Sequence, residues 1–182
     1  LATILGYADL LLMKEDTNPK ERKDYLELIQ NRAERLGDIV SDLLDISRIE
    51  SGLGVQLDPK PCHLDLLCKE VLQSFEHQAP EHEFVFDVAS PILIYADRFA
   101  VLQILENVIS NAIKYSPDGG VINISAERKA GVCLLSIADH GIGMTLAQQE
   151  KIYEKFYRVD ATNTAISGTG LGMTIVKHLV EA

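Results

Sequence analysis

Ile29, Leu36 and Leu43 recur every seven residues, and Ile39 and Ile46 fill the second seam position of the same repeat. A strict heptad stripe restricts a chain more tightly than any composition, because it selects helical partners over a sheet. Upstream, Leu1, Leu5, Ala8 and Leu12 fall at helical spacing until the polar stretch Lys14-Glu15-Asp16-Thr17 breaks the pattern. Asn18 then offers a cap, Pro19 suits a first helical turn, and Glu21 stands three residues after the cap, as a capping box requires. The run ends at Ser51-Gly52. Residues 1–51 are therefore predicted to form a two-helix hairpin. Alone it buries too little surface to stand, so its stripe is expected to meet a second copy in a four-helix bundle, a homodimer through residues 1–51, the alternative being that it packs on the rest of its own chain.

Residues 52–61, with their glycines and prolines, read as a linker in which Val55 and Leu57 alternate like a short strand. A second domain is expected over 62–182. Within it the pattern predicts a helix over 64–76, strands over 83–88 and 92–95, and a long helix over 98–115. Strands over 121–128 and 132–138 follow, joined through Lys129-Ala130-Gly131, a loop of hairpin type. After Asp139 the chain turns glycine-rich and polar, before a last helix from about 170. The class is α+β: a hairpin, then a sandwich of helices on a sheet with a long functional loop.

Charge narrows the partners. With 27 acidic against 17 basic side chains the formal net charge is −10, which repels phosphate backbones and anionic lipid heads. No nucleic acid and no membrane contact is expected. Cys62, Cys68 and Cys133 have no CxxC spacing, so neither a disulfide framework nor a zinc site is indicated, and a cytoplasmic setting fits. No apolar run approaches the roughly 20 residues needed to span a bilayer. Leu1 and Ala182 both fall inside apolar helical patterns, so the chain is expected to be part of a longer protein, which could itself be membrane-anchored.

Three signals carry chemistry. In the long helix, Asn107, Asn111, Lys114 and Tyr115 lie at offsets 0, 4, 7 and 8 and share one face. Amide oxygens are hard ligands suited to Mg²⁺, and a lysine suits phosphate, although any surface helix carries a polar face. At the end of an apolar strand comes Asp139-His140-Gly141-Ile142-Gly143, where a carboxylate can accept from a ligand amine and glycines let backbone approach a flat ring. The same composition also makes an ordinary turn. Lastly Gly168-Thr169-Gly170-Leu171-Gly172 leads into the final helix, whose N–H groups and dipole suit a di- or triphosphate. Neither the dinucleotide fingerprint nor a P-loop is present. The three segments lie in order within some 65 residues, each at the edge of a predicted element.

In these motifs the chain resembles the histidine kinases, whose catalytic domain shares its ATP-binding fold, the GHKL or Bergerat fold, with gyrase, Hsp90 and MutL. Asn107 to Ser116 is similar to the family's N box, Asp139 to Gly143 to its G1 box, Tyr153 to Arg158 to its F box, and Gly168 to Gly172 to its G2 box. With the hairpin, the resemblance spans nearly the whole chain. It implies ATP and Mg²⁺ as cofactors, with Asn111 ligating the metal and Asn107 and Lys114 near the phosphates. It implies that Asp139 reads the adenine amine, that Tyr115 and Ile142 wall the adenine pocket, and that Gly141 and Gly143 shape it. Residues from about 144 to 169 would form the ATP lid, with Arg158 able to approach the phosphates. Gly168, Thr169, Gly170, Leu171 and Gly172 would cradle them.

Asn107 also separates subfamilies. Gyrase-like ATPases place a water-activating Glu there, so hydrolysis is disfavoured and transfer to a protein side chain preferred. Glu106 is adjacent but about 100° round the helix. In histidine kinases the accepting histidine precedes a stretch like that at Leu1, whereas His63, His77, His82, His140 and His178 all lie outside the hairpin. No acceptor is therefore read in the chain, no catalytic residue is assigned, and autophosphorylation is not expected of it. His140 is read as turn placement rather than a general base. A response regulator receiver domain would take the phosphoryl group next. The alternatives are a degenerate nucleotide-sensing module, a GHKL-type ATPase, which Asn107 opposes, and a serine kinase, which the heptad hairpin opposes.

Overall fold

The computed structural model describes residues 1–13, 18–50, 56–88, 91–159 and 168–182. The chain divides into two compact units, Leu1–Ser47 and Arg48–Ala182.

The first unit is a helical hairpin. Helix α1 spans Ala2–Met13 and α2 runs over Pro19–Glu50. The α2 start follows from its cap: the Asn18 Oδ1 accepts from the Lys20 amide at 3.0 Å and the Asn18 carbonyl from the Arg22 amide at 2.9 Å. The Tyr7 and Tyr25 rings meet with centroids 5.2 Å apart, joining the two helices, and the Tyr25 hydroxyl donates to the Glu21 carboxylate at 2.6 Å. The heptad residues Leu36 and Leu43 remain 40% and 44% exposed, and Leu26, Val40 and Leu44 beside them are exposed too. These residues form an exposed apolar stripe along the hairpin, while Ile46 of the same seam is buried. The breaking stretch 14–17 and the stop at Ser51-Gly52 lie outside the described residues.

The second unit layers helices on sheet. Strand β1 is Lys60–His63, α3 is Leu64–Gln78, β2 is His82–Asp87, β3 is Leu93–Ala96 and α4 is Arg98–Lys114. Strands β4, Gly120–Lys129, and β5, Val132–Ala138, follow, then α5 at Leu146–Lys151 and α6 at Gly172–Glu181. β4 runs parallel to β2 and antiparallel to β5 in a three-stranded mixed sheet, while β1 and β3 form an antiparallel pair. Apolar residues of α3 at helical spacing, Leu64, Leu67, Cys68, Val71 and Leu72, meet Leu105, Ile109 and Ala112 of α4 over Ile122 and Ile124 of β4. Leu105, Ile109, Ile122 and Ile124 are at most 1% exposed, so both periodicities, near 3.6 in the helices and 2 in the strand, point into one core. Burial pushes the Cys68 thiol up to about 11, which keeps it protonated and inert. The three cysteines are free.

Two local features differ from the sequence reading. The early strand lies at Lys60–His63 rather than at the Val55/Leu57 alternation, and Val55 lies outside the described residues. Its register is set by β3, with Lys60 opposite Ala96 and His63 opposite Leu93, a long-range pairing that local alternation does not report. The polar stretch after Gly143 contains a short helix, α5. Thr145 caps it through the Gln148 amide at 3.3 Å, and the Gln148 side chain returns to the Thr145 amide at 2.7 Å, a complete capping box. No helix among the described residues is long and apolar enough to cross a membrane.

Candidate functional site

Helix α4 is the rod on which the site is hung. Asp97 caps it, its Oδ1 accepting from the Phe99 and Ala100 amides, while Oδ2 accepts from the Asp58 amide at 2.8 Å. These backbone donors, led by that of Asp58, hold the Asp97 carboxyl below the usual carboxylate range. With Leu105, Ile109 and Ala112 turned into the core, Asn107 and Asn111 are left half-buried on another side, Tyr115 follows at the C-cap, and Lys114 is exposed.

At the C-terminal end of α4, the loop after β5 comes against the helix. A Cβ on Gly141 would stand 2.1 Å from the Tyr115 carbonyl oxygen and 2.7 Å from the Ser116 Oγ, so only glycine fits. The next amide, of Ile142, donates to that same Tyr115 carbonyl at 3.0 Å. The Asp139 Oδ1 accepts from the Gly141 amide at 2.9 Å, leaving the exposed carboxylate at the mouth of the loop. Ile142 is 59% exposed and Gly143 has a φ of 65°. His140 is exposed, with its Nδ1 3.1 Å from the Val121 carbonyl.

At the other end of the face, α6 begins against α4. A Cβ on Gly172 would lie 2.5 Å from the Asn107 Oδ1, and the Asn107 Nδ2 is held by the Gln103 carbonyl at 3.0 Å. The N-cap of α6 is the buried Leu171, which supplies no side-chain cap, so the first-turn amides keep the anion-attracting character of a helix start. Thr169 lies just upstream, its Oγ1 accepting from the Leu171 amide at 3.1 Å. Gly170, with a φ of 74°, packs against Phe156 and Tyr157, and its carbonyl takes the Phe156 amide at 3.0 Å. Buried Thr174 donates from its hydroxyl to the Tyr153 carbonyl at 3.0 Å, so segment 153–157 is stitched to α6. Arg158 follows that segment, half-buried, and Gly168 is exposed at the near side of the glycine run. Residues 160–167 of the expected lid lie outside the described residues.

Two of the three expected segments thus border the third, α4 and its C-cap: Gly141 and Ile142 meet Tyr115, and Gly172 meets Asn107. Lys114 and Arg158 each have a partner in the chain, so neither is a bare charge awaiting an anion. Glu106, one residue before Asn107, is exposed; partial burial first, and the Glu70 carboxylate of α3 second, raise its carboxyl above the ordinary value. Sequence reasoning missed His82 and Ser116, buried polar residues beneath the Tyr115 end. Their 34-residue separation hides the pairing from any local pattern.

The family model for "Histidine kinase-, DNA gyrase B-, and HSP90-like ATPase" matches residues 96–182, and that for the "His Kinase A (phospho-acceptor) domain" matches residues 1–52. The sensor histidine kinase WalK of Bacillus subtilis is 32% identical over 187 residues, an alignment covering all of this chain and 30% of WalK. The chain thus spans about a third of that relative. Among solved structures, full-length ShkA in complex with AMPPNP superposes with a TM-score of 0.77 at 28% identity, covering 98% of this chain and 37% of that one. The histidine kinase ThkA in complex with the response regulator protein TrrA gives a TM-score of 0.65 at 26% identity, covering 86% and 46%.

Proposed function

The chain belongs to the histidine kinase family, and from that premise we propose that it is the ATP-binding kinase core of a sensor histidine kinase. In this reading the γ-phosphoryl group passes to a histidine N-terminal to Leu1 and then to an aspartate of a response regulator receiver domain. The observation that carries it is the gathering of two glycine segments along α4, Gly141 against the carbonyl of its C-cap Tyr115 and Gly172 against the Asn107 side chain. The two contacts are eight residues apart on the helix, on the order of 12 Å, which matches a ligand with a flat head and an anionic tail.

Each end fits its part of a nucleotide. The tight Gly141 cradle and exposed Ile142 suit a ring, and the Asp139 carboxylate is an acceptor for an exocyclic amine. The uncapped start of α6, beside the 168–172 run, suits phosphates. In this reading Asn111 would offer Mg²⁺ its amide oxygen, and Asn107, Lys114 and Arg158 would serve the phosphates. Bound ATP supplies the phosphoryl group, and Mg²⁺ offsets its charge. In this reading the chain's own residues bind and orient, and Asn107, an amide, supplies no water-activating base at the position where gyrase-like ATPases carry a glutamate. ShkA with AMPPNP, an ATP analogue, supports the nucleotide, and ThkA with TrrA supports the regulator as partner. The exposed heptad residues Leu36 and Leu43 support a homodimer through residues 1–51. The proposed setting is the cytoplasm.

Calorimetric titration with AMPPNP and Mg²⁺ tests the reading. We expect binding in the micromolar to sub-millimolar range, abolished in Asp139→Asn and weakened at least tenfold in Asn111→Ala, on the order of one charge-assisted contact. A folded chain that takes up no AMPPNP, or an Asp139→Asn chain that binds unchanged, would overturn it.

A further inference from the structure

Beneath the Tyr115 end of the site lies a buried polar pair that the nucleotide reading does not use. The His82 side chain is 1% exposed, and its Nε2 lies 3.0 Å from the Ser116 carbonyl oxygen. A carbonyl only accepts, so Nε2 carries the hydrogen. Nδ1 makes no hydrogen bond, with the Glu81 carboxylate 3.5 Å away. The same Ser116 carbonyl accepts from the Gly119 amide at 3.0 Å, so both its lone pairs are spoken for. The strand end that carries His82 is fixed in turn, since the Glu81 carbonyl takes the Gly120 amide at 3.2 Å and the His82 amide reaches Ala79 at 3.0 Å.

Ser116 follows Tyr115 directly, and the Tyr115 carbonyl is where the Ile142 amide docks and where Gly141 is pressed. We infer that His82 is a positioning residue for loop 139–143: its Nε2–H fixes the Ser116 carbonyl, which holds the Tyr115 carbonyl under the Ile142 amide. The histidine thereby sets the order of the loop and, through it, affinity for the purine part of the nucleotide. That last step rests on the nucleotide site proposed above; the link from His82 to loop order does not.

Amide hydrogen exchange of the nucleotide-free chain, read as the ratio of Ile142 to the sheet amide of Ile124, tests the link directly, with ADP titration as the second readout. Glutamine places an amide near the position of Nε2, whereas asparagine stops short of Ser116. In His82→Asn the Ile142 ratio is expected to rise about tenfold and the ADP dissociation constant about tenfold, while His82→Gln stays within about threefold of the parent on both, the range one buried hydrogen bond commands. Equal behaviour of the two variants, including equal loss of folding, overturns the inference and leaves His82 a packing residue. So does an unchanged Ile142 ratio in His82→Asn. If the unsubstituted chain takes no ADP, the nucleotide site fails, and the exchange ratio still decides the link.

Discussion

Gly172 lies so close to Asn107 that a Cβ on it would stand 2.5 Å from the amide oxygen. In Gly172→Ala the Asn107 side chain must move, abandoning its bond to the Gln103 carbonyl. The backbone gains from alanine what the displaced amide loses, about 0.5–1 kcal/mol each way, so thermal stability is expected to hold within about 3 °C. AMPPNP affinity is expected to fall about tenfold, because the amide beside the start of α6 is displaced. Calorimetry beside a melting curve checks both halves.

Gly141 has no such escape, since the atom a Cβ would strike at 2.1 Å is backbone, the Tyr115 carbonyl oxygen. Gly141→Ala should cost about 1–3 kcal/mol in urea unfolding and abolish AMPPNP binding. Gly143→Ala is the matched control. Nothing lies within 4 Å of its Cβ position, and only its φ of 65° is penalised, so the loss is about 1 kcal/mol.

Glu106 gives a pH signature. Burial first, and the Glu70 charge second, hold its carboxyl above the ordinary value, so the folded chain binds this proton more tightly than the unfolded chain. The penalty is absent below the ordinary glutamate value and grows as pH rises through the raised one. Glu106→Gln is therefore expected to be more stable than the parent at pH 7, by under about 1 kcal/mol because the group is partly solvated, and equal to it near pH 4. Thermal melts at the two pH values check the sign.

The β4–β5 hairpin turns on Ala130 and Gly131 with φ of 50° and 82°. Two successive left-handed residues are what a tight hairpin turn demands, and alanine is a poor choice for the first. Ala130→Asn or Ala130→Gly should raise stability by about 0.5–1 kcal/mol without touching nucleotide affinity. An unchanged or lowered unfolding midpoint would contradict this.

Where an element's reason for existing was local, the sequence announced it. Helix α4 begins at a capping aspartate and buries one apolar side, so its span and its polar residues were readable, and the Lys129-Ala130-Gly131 turn declared the hairpin around it. Strand β1 was not readable, because its four residues include Pro61 and its partner lies some 30 residues on. Helix α5 is six residues with no buried face, its only sign the Thr145/Gln148 box inside a polar stretch. In the site, residue types and order pointed to the two ends of α4. The contacts that join them, Gly141 on Tyr115, Gly172 on Asn107 and His82 on Ser116, depend on tertiary proximity that no spacing encodes.

The parallel register of β2 and β4, His82 opposite Gly120, joins residues 38 positions apart (82 to 120), with β3 and α4 in the intervening crossover. Antiparallel β4–β5 can zip from its turn, but the parallel pair must wait until that long excursion has closed. The His82–Ser116 bond spans nearly the same interval and sits at the mouth of the same pairing. The loop that the Tyr115 carbonyl anchors is thus expected to assemble late on the folding route, after the hairpin beside it. Substitutions there should hasten unfolding while leaving the rate of folding nearly alone.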